Sequence, residues 1–197
     1  VGATICEGST HTLSGSFGGG ASSILWSTDG DGTFDDATLT AATYTPGSND
    51  ITNGTATLTI TTDDPDGGGP CSAATDNMTL TIDPAASTSA VINATICEGS
   101  THTLSGSFGG GAASILWSTS GDGTFDDATL TAATYTPGSN DITGGTATLT
   151  ITTDDPTGPC PAVTANMILT ISLDATVSAD VGATICEGST HTLSGSF

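Results

Sequence analysis

Apolar and polar residues alternate along most of this chain with a period of two. At 55–61 the apolar residues Ala56, Leu58 and Ile60 alternate with threonines, and 78–82 shows the same pattern. Successive side chains of a β-strand point to opposite faces of a sheet, so this period predicts strands with one buried face. No segment shows the 3.6-residue period of an amphipathic helix. The pattern therefore predicts an all-β fold.

Clusters of glycine, aspartate and proline separate the predicted strands. The clearest are FGGG at 17–20, DGDG at 29–32 and PGSN at 46–49. These residues favour tight turns, because glycine adopts positive φ and aspartate bonds to nearby backbone. About seven short strands joined by such turns are typical of an antiparallel β-sandwich. Trp26 and Trp117 are predicted to lie in the core, whereas the two tyrosines are compatible with the core or the surface.

The chain repeats itself. Residues 181–197 are identical to 1–17, and 94–108 matches 3–17. We predict a first β-sandwich at 1–90, a second at 91–180, and the first strands of a third, truncated repeat at 181–197. Short, exposed polar connections at 84–90 and 174–179 are expected between them. A chain that copies one module is typical of proteins that build length, and we expect a window cut from a longer array.

Charge excludes two classes of partner. The chain has no Lys or Arg and 21 acidic residues, for a net charge of −21. Binding to nucleic acid requires cations that displace phosphate counterions, and binding to anionic membranes requires them too. No apolar run approaches the roughly 18 residues of a membrane span, so we predict no membrane insertion in this window. The regular alternation predicts a folded chain in spite of the charge.

Each complete repeat has one early and one late cysteine. We predict a disulfide between Cys6 and Cys71 and another between Cys97 and Cys160, with the partner of Cys186 outside the window. Paired cysteines of this kind indicate an oxidising, extracellular compartment. A thiolate metal site is the weaker alternative, because the chain has no CxxC pair.

The residues also carry a family resemblance. Each repeat shows an early Cys, TLSGS, a central Trp, GDGTF, TYTPG, TLTITTDDP, a late Cys, and a closing MTLTI or MILTI. This order resembles the Ig-like and PKD-like tandem repeats of large secreted bacterial surface proteins, above all the adhesin and gliding-associated proteins of the Bacteroidetes type. The resemblance covers both complete repeats and the start of the third. It implies an Ig-like or PKD-like β-sandwich in an extracellular stalk, fibre or filament, without catalysis.

Aspartates in the turn clusters are candidate calcium ligands. They are Asp29, Asp31, Asp35, Asp36, Asp63 and Asp64 in the first repeat and Asp122, Asp126, Asp127, Asp154 and Asp155 in the second. Carboxylates at alternate positions of a glycine-containing loop supply the hard oxygen ligands that calcium prefers. The same DG sequences form hairpin turns without an ion. Both interpretations stay open, so the expected cofactor is none or calcium.

Histidine offers no convincing catalytic site. His11, His102 and His191 each lie in STHTLSG, where the alternation indicates a strand instead of a nucleophile turn. An active site copied into every unit of an array is also uncommon. We therefore predict no catalytic residues and no enzyme activity.

Two surface features could bind partners. Rows of threonine suit a glycan or ice surface, although β-propensity explains them equally well. The sequons at Asn53, Asn77 and Asn93 are candidate glycosylation sites. We expect neighbouring repeats or second copies as partners, through exposed strand edges. A surface or glycan receptor is the alternative.

Overall fold

The computed structural model describes residues 2–90, 92–179 and 182–196, so the predicted domain limits at 1, 91, 180, 181 and 197 lie outside the described residues. Module 1 comprises seven strands and one short helix. They are β1 (Ala3–Cys6), β2 (His11–Thr12), β3 (Ile24–Thr28), β4 (Thr33–Phe34), β5 (Thr43–Thr45), α1 (Ser48–Asn53), β6 (Thr55–Thr62) and β7 (Thr75–Asp83).

Module 1 is a sandwich of two sheets. One sheet has the order β1-β7-β6-β3 and the other the order β2-β5-β4. The strands β6 and β7 pair antiparallel, with Leu58 opposite Met78. Leu58 packs with Trp26 from the same sheet and Tyr44 from the other sheet in the core. The apolar positions of the alternating pattern therefore face inward, which confirms the predicted all-β, Ig-like sandwich.

Two local features differ from the prediction. Strand β1 runs parallel to β7, with Ala3 opposite Leu80, so the larger sheet is mixed. The predicted turn at 46–49 leads into helix α1, which ends at Gly54 in a left-handed conformation with φ of 74°. A helix of six residues is too short to show a 3.6-residue period, and the alternation pattern therefore missed it.

Module 2 repeats this architecture. Its elements are β9 (Ala94–Cys97), β10 (His102–Thr103), β11 (Gly106–Gly109), β12 (Ile115–Thr119), β13 (Thr124–Phe125), β14 (Thr134–Thr136), α2 (Ser139–Gly144), β15 (Thr146–Thr153) and β16 (Thr164–Ser172), with β8 (Ser87–Ala90) before it and β17 (Ser178–Ala179) and β18 (Gly195–Ser196) after it. The sheet orders β9-β16-β15-β12 and β10-β14-β13 match those of module 1. No described helix is long and apolar enough to cross a membrane.

The connection between the modules is structured. Strand β8 pairs antiparallel with β11 of module 2, with Ala90 opposite Gly106 and Ser89 opposite Ser107. The expected exposure of the connection at 84–90 is found at Pro84, Ser87 and Ser89, but it is wrong for Ala86, which is buried. Residues 87–90 form a paired strand, because their backbone finds partners on β11. Only residues 84–86 separate β7 from β8.

Candidate functional site

A disulfide joins the two modules. Cys6 bonds Cys160, with their Cα atoms 4.9 Å apart. Cys71, Cys97 and Cys186 are free and exposed. The predicted disulfides within each module, Cys6–Cys71 and Cys97–Cys160, are therefore wrong. The one early and one late cysteine per repeat are compatible with bonds within or between repeats, and spacing alone does not distinguish them.

Strand direction explains this pairing. Because β1 is parallel to β7, Cys6 lies opposite Asp83 at the end of β7. Cys71 precedes Thr75, where β7 begins. A strand rises about 3.3 Å per residue, so the two ends of β7 are separated by about 26 Å. Disulfides need Cα atoms within about 7 Å, and Cys6 and Cys71 therefore cannot bond.

The end of β7 faces module 2. The Glu7 N–H donates to the Asp83 carbonyl over 2.8 Å, and the Cys160 Sγ lies 3.4 Å from the same oxygen. Cys160 itself is 1 % exposed. The disulfide thus sits where the chain leaves module 1, directly against the loop before β16.

Glycines allow the two backbones to touch at this junction. The Gly111 N–H donates to the Ala85 carbonyl over 3.3 Å. A Cβ atom at Gly110 would overlap the Ala85 carbonyl oxygen, and one at Gly111 would overlap that of Pro84. The Ala85 N–H in turn donates to Glu7 Oε2 over 3.2 Å. Any side chain at these two glycines would push the modules apart.

Strand β8 adds a second attachment. The Ser89 and Ser107 hydroxyl oxygens are 2.7 Å apart, and the Thr88 hydroxyl donates to the Ser107 carbonyl over 2.9 Å. Ala90 packs against the core of module 2. The two modules are therefore connected by a covalent bond, by paired backbone and by apolar contact at once.

Each module contains one buried aspartate that accepts several hydrogen bonds and that the sequence pattern did not predict. Asp50 is 1 % exposed and accepts hydrogen bonds from the Tyr44 hydroxyl, 2.6 Å away, and from the N–H groups of Gly32 and Gly47, 3.1 and 3.0 Å away. Burial, followed by the hydrogen bond to Asp50, raises the pKa of Tyr44 to about 12. The available sequence signal was PGSND directly after TYT, a tyrosine and an acid six residues apart.

Most of the predicted calcium ligands accept hydrogen bonds from backbone. Asp31 accepts from the Asn49 N–H at 3.1 Å, and Asp35 accepts from the Thr43 N–H at 2.7 Å. These bonds hold the pKa of both carboxyls below the usual value. Backbone N–H groups also donate to Asp29, Asp36, Asp63, Asp122, Asp126, Asp127 and Asp154.

Asp64 accepts a longer bond of 3.4 Å from the Asp66 N–H. Both Asp64 and the last candidate, Asp155, are exposed. No group of three or more His, Cys, Asp or Glu residues within the described part of the chain is placed to hold a metal ion. The aspartates therefore act as acceptors that shape turns in this structure. The expectation of no cofactor or calcium stays open, and the backbone hydrogen bonds favour turns without an ion.

The remaining candidates lie on strands or at the surface. His11 is opposite Tyr44 on paired strands, and His102 is opposite Tyr135 in the same way. Threonines line the outer face of the larger sheet, where Thr57 is opposite Thr79. The three sequon asparagines are all exposed: Asn53, Asn77 and Asn93. The structure brings none of these residues into the junction.

Comparison with known proteins supports the fold alone. No protein-family model and no curated protein matches this chain. The structure of the insect immune protein hemolin is similar, with a TM-score of 0.52 and 13 % identity over 86 % of this chain and 44 % of that one. Human cadherin-23 EC21–23 is less similar, with a TM-score of 0.44 and 14 % identity over 85 % of this chain and 60 % of that one.

Mouse protocadherin PcdhgC3 EC1–3 is also less similar, with a TM-score of 0.42 and 13 % identity over 88 % of this chain and 66 % of that one. The chain thus spans between 44 % and 66 % of the length of these three structures. The identity to hemolin is only 13 %, so this similarity establishes the fold of the modules alone, which is an Ig-like β-sandwich.

Proposed function

We propose that this chain belongs to an extracellular structural repeat protein, whose β-sandwich modules are clamped in series into a surface fibre, filament or adhesin stalk. The observation that carries the proposal is the Cys6–Cys160 bond between successive modules. A bond inside a module would stabilise that module, whereas a bond between modules fixes their relative position. Disulfides persist in oxidising compartments, which supports an extracellular location.

The junction is also short. Three residues, 84–86, connect β7 to β8, and β8 pairs with β11 of module 2. In the chain-entropy treatment, a disulfide across a sequence separation of 154 stabilises the folded chain against unfolding by about 5 kcal/mol. Such a junction transmits force and direction from one module to the next, which a flexible tether does not.

The family resemblance and the charge agree with this role. Repeats of the bacterial surface type are expected to separate an adhesive end from the cell. A chain with 21 acidic residues and no Lys or Arg repels copies of itself except where specific contacts form, within the Debye length of about 8 Å. The hemolin structure has been discussed in terms of homophilic adhesion, and self-association is the partner class that we propose here. We propose no enzymatic activity.

A binding module for calcium-dependent adhesion, glycan or ice is the alternative. The outward threonine rows on β6 and β7 are the feature that favours it. Saturable binding of a glycan array or of ice to the intact chain, lost when Thr57 and Thr79 are replaced by bulky charged residues, would support this alternative over a structural role.

Residual dipolar couplings of the intact, oxidised chain test the rigid junction. One alignment tensor is expected to fit the amides of both modules, because the junction fixes their relative orientation. Two different tensors would contradict the proposal, since they indicate modules on a flexible tether. Antibodies raised against the chain should label filaments outside intact source cells, and labelling restricted to the cell interior would contradict the extracellular location.

A further inference from the structure

The outer face of the larger sheet of module 2 carries no charge. The chain has 21 acidic residues and no Lys or Arg, yet β9, β12, β15 and β16 contain no Asp or Glu. Their inward residues, such as Leu149 and Leu169, lie in the core. The outward residues are the even-numbered ones of β12, β15 and β16, and we call this set the module 2 face. It consists mainly of threonine, with Leu116 and Ile168 as its aliphatic members.

The two aliphatic side chains on the module 2 face are open to solvent. Leu116 is 55 % exposed and Ile168 is 45 % exposed. Ile168 lies opposite Thr148 of β15, and Leu116 lies opposite Thr152 of the same strand. Transfer of apolar surface out of water is favourable. A second surface that covers this face would therefore gain free energy from it.

Module 1 has the same sheet with a different surface. It carries three aspartates in this sheet or directly beside it where module 2 carries neutral residues, and it carries a threonine in place of Ile168. The pairs are Asp29 and Ser120, Asp76 and Ala165, Asp83 and Ser172, and Thr79 and Ile168. The Ser120 hydroxyl accepts a hydrogen bond from the Thr148 N–H over 3.0 Å, and the Asp29 carboxylate makes the matching bond in module 1 over 2.7 Å. The fold thus accepts either residue, and the absence of charge is a feature of the surface.

Most occupants do not fit the module 2 face. A cation needs several oxygen ligands, usually with carboxylates among them, and these four strands have no carboxylate. A sugar is usually held in a concave pocket with aromatic side chains, whereas the one aromatic residue of these strands, Trp117, is 2 % exposed. A flat crystal such as ice requires a flat array, and neighbouring strands of a sheet are twisted by about 20°. A second copy of the chain is the occupant that fits.

We propose that the module 2 faces of two copies of the chain pack on each other, sheet against sheet. The inference rests on the proposed function, because it joins extracellular fibres side by side. Two twisted sheets pack face to face at a distance of about 10 Å. A hydroxyl group both donates and accepts hydrogen bonds, so a face of threonines is complementary to a second copy of itself.

Charge directs the two copies to this face. Each copy has a net charge of −21, so a contact that brings carboxylates together is repulsive. Exposed acidic residues of module 2 lie in its turns, for example Asp122, Asp126 and Asp127. The repulsion between copies is therefore smallest when the module 2 faces meet. Salt screens the remaining charges, and it should strengthen the contact.

The contact between a single pair of modules should be weak. Four strands about 4.8 Å apart, over seven paired residues of β15 and β16 that rise about 3.3 Å each, cover about 400 Å² on each copy. A standard interface covers about 800 Å² on each partner. Association should therefore need protein concentrations of up to about 1 mM, and repeats in series would add avidity.

Nuclear magnetic resonance of the intact, oxidised chain at increasing concentration tests the contact. The free thiols are alkylated first, so that no disulfide forms between copies. Between about 0.05 and 1 mM, the amide signals of Thr148, Thr150 and Ile168 should shift along a saturable curve. Raising the ionic strength from about 0.01 M to about 0.15 M, which shortens the Debye length from about 30 Å to about 8 Å, should move the midpoint to lower concentration.

A variant with module 1 residues in this region tests the surface itself. Ser120→Asp with Ile168→Thr introduces residues that module 1 carries at the same places, so the variant is expected to fold. Association should weaken about tenfold or more, because each change occurs twice in a contact between identical faces. The matched control is Ser100→Asp with Leu130→Thr, which makes the same kinds of change at exposed positions outside the sheet. It should associate like the unchanged chain.

Amide signals that do not shift up to about 1 mM, or equal weakening by the variant and its control, would overturn the inference. A soluble glycan that shifts the signals of this face while the chain stays monomeric would overturn it too, since the occupant would then be a sugar. A glycan attached to Asn93 would have the same consequence. The Asn93 Oδ1 accepts the Ile168 N–H over 2.8 Å, so a sugar there would cover the face.

Mapping of the Cys6–Cys160 bond by mass spectrometry in the same samples separates this contact from the proposed function. If the bond is present and the chain stays monomeric, the contact between copies fails alone. If the bond is missing, the serial junction of the proposed function fails, whether or not the copies associate.

Discussion

The hydroxyl of Tyr44 donates a hydrogen bond of 2.6 Å to the carboxylate of Asp50 in the interior of module 1. Tyr135 and Asp141 repeat this contact at the same distance in module 2. Each pair connects the smaller sheet to the first turn of the short helix. The tyrosines are 0 % exposed and the aspartates at most 2 %. Both hydrogen bonds therefore lie in the interior, out of reach of water.

Both tyrosines should titrate far above the usual value of about 10. Burial, followed by the hydrogen bond to aspartate, raises the pKa of Tyr44 and of Tyr135 to about 12. Because the folded pKa is raised, this contribution to stability is complete below pH 10 and is lost as the pH rises towards 12. Absorbance at the tyrosinate band, with circular dichroism, should show ionisation and unfolding together near pH 12. Titration of a folded chain near pH 10 would contradict the buried contacts.

Replacing the buried aspartate should destabilise its module strongly. Asp141→Ala removes the acceptor for Tyr135 and for the N–H groups of Gly123 and Gly138. Leaving buried donors unsatisfied should cost about 3 kcal/mol in the free energy of unfolding of module 2.

Urea unfolding of the intact chain measures this change. Asp155→Ala is the matched control, since Asp155 is exposed, and it should change the free energy by about 0.5 kcal/mol or less. Equal effects of the two variants would show that Asp141 does not organise the module.

A methyl group at Gly106 should disturb the core of module 2. A Cβ atom there would lie 2.7 Å from Ile151 Cδ1 and 2.8 Å from Trp117 Cζ2. Such overpacking costs about 1–3 kcal/mol, and Gly106→Ala should lower the melting temperature and alter the tryptophan fluorescence.

Gly144→Ala provides the matched control. Gly144 is exposed in helix α2, and a Cβ atom there meets no atom within 4 Å. Alanine favours the helix, so the control should be neutral or stabilising by about 0.5 kcal/mol. A loss of stability with this variant but none with Gly106→Ala would contradict the packing described.

Calcium and chelator should leave the melting temperature of the chain unchanged. The aspartates of the glycine loops already accept backbone hydrogen bonds, for example from Thr57 to Asp29 at 2.7 Å and from Thr43 to Asp35 at 2.7 Å. Differential scanning calorimetry with calcium, and then with a chelator, measures this. Magnesium controls for general screening of the negative charge. A saturable rise with calcium alone would instead establish the aspartate loops as ligand sites.

The strands could be predicted from the sequence because the alternation of apolar and polar residues is a local property of the chain. Alternation at 55–61 and 78–82 fixes which side chains face inward, and Leu58 and Leu80 are indeed fully buried. The glycine and proline clusters marked most turns correctly. Helix α1 was not predicted because six residues are too few to show a helical period. Its stability also depends on the contact between Asp50 and Tyr44, which lie in different elements.

The junction could not be predicted from the sequence because it depends on contacts between residues that are far apart in the chain. Whether Cys6 reaches Cys71 or Cys160 depends on β1 lying parallel to β7, and alternation is the same for parallel and antiparallel neighbours. Strand β8 was expected to be a linker, since STSA is polar and short. Its partner β11 lies beyond the predicted domain boundary, and four small, mostly polar residues carry no pattern that indicates a strand partner there.

Disulfide mapping of the intact, oxidised chain shows whether the modules are joined covalently to each other. The chain lacks Lys and Arg, so proteolysis at aspartate and glutamate replaces trypsin, after free thiols have been alkylated at low pH. One linked peptide pair containing Cys6 and Cys160 is expected, with Cys71, Cys97 and Cys186 alkylated. Linked pairs of Cys6 with Cys71 and of Cys97 with Cys160 would contradict it, because each module would then be closed on itself.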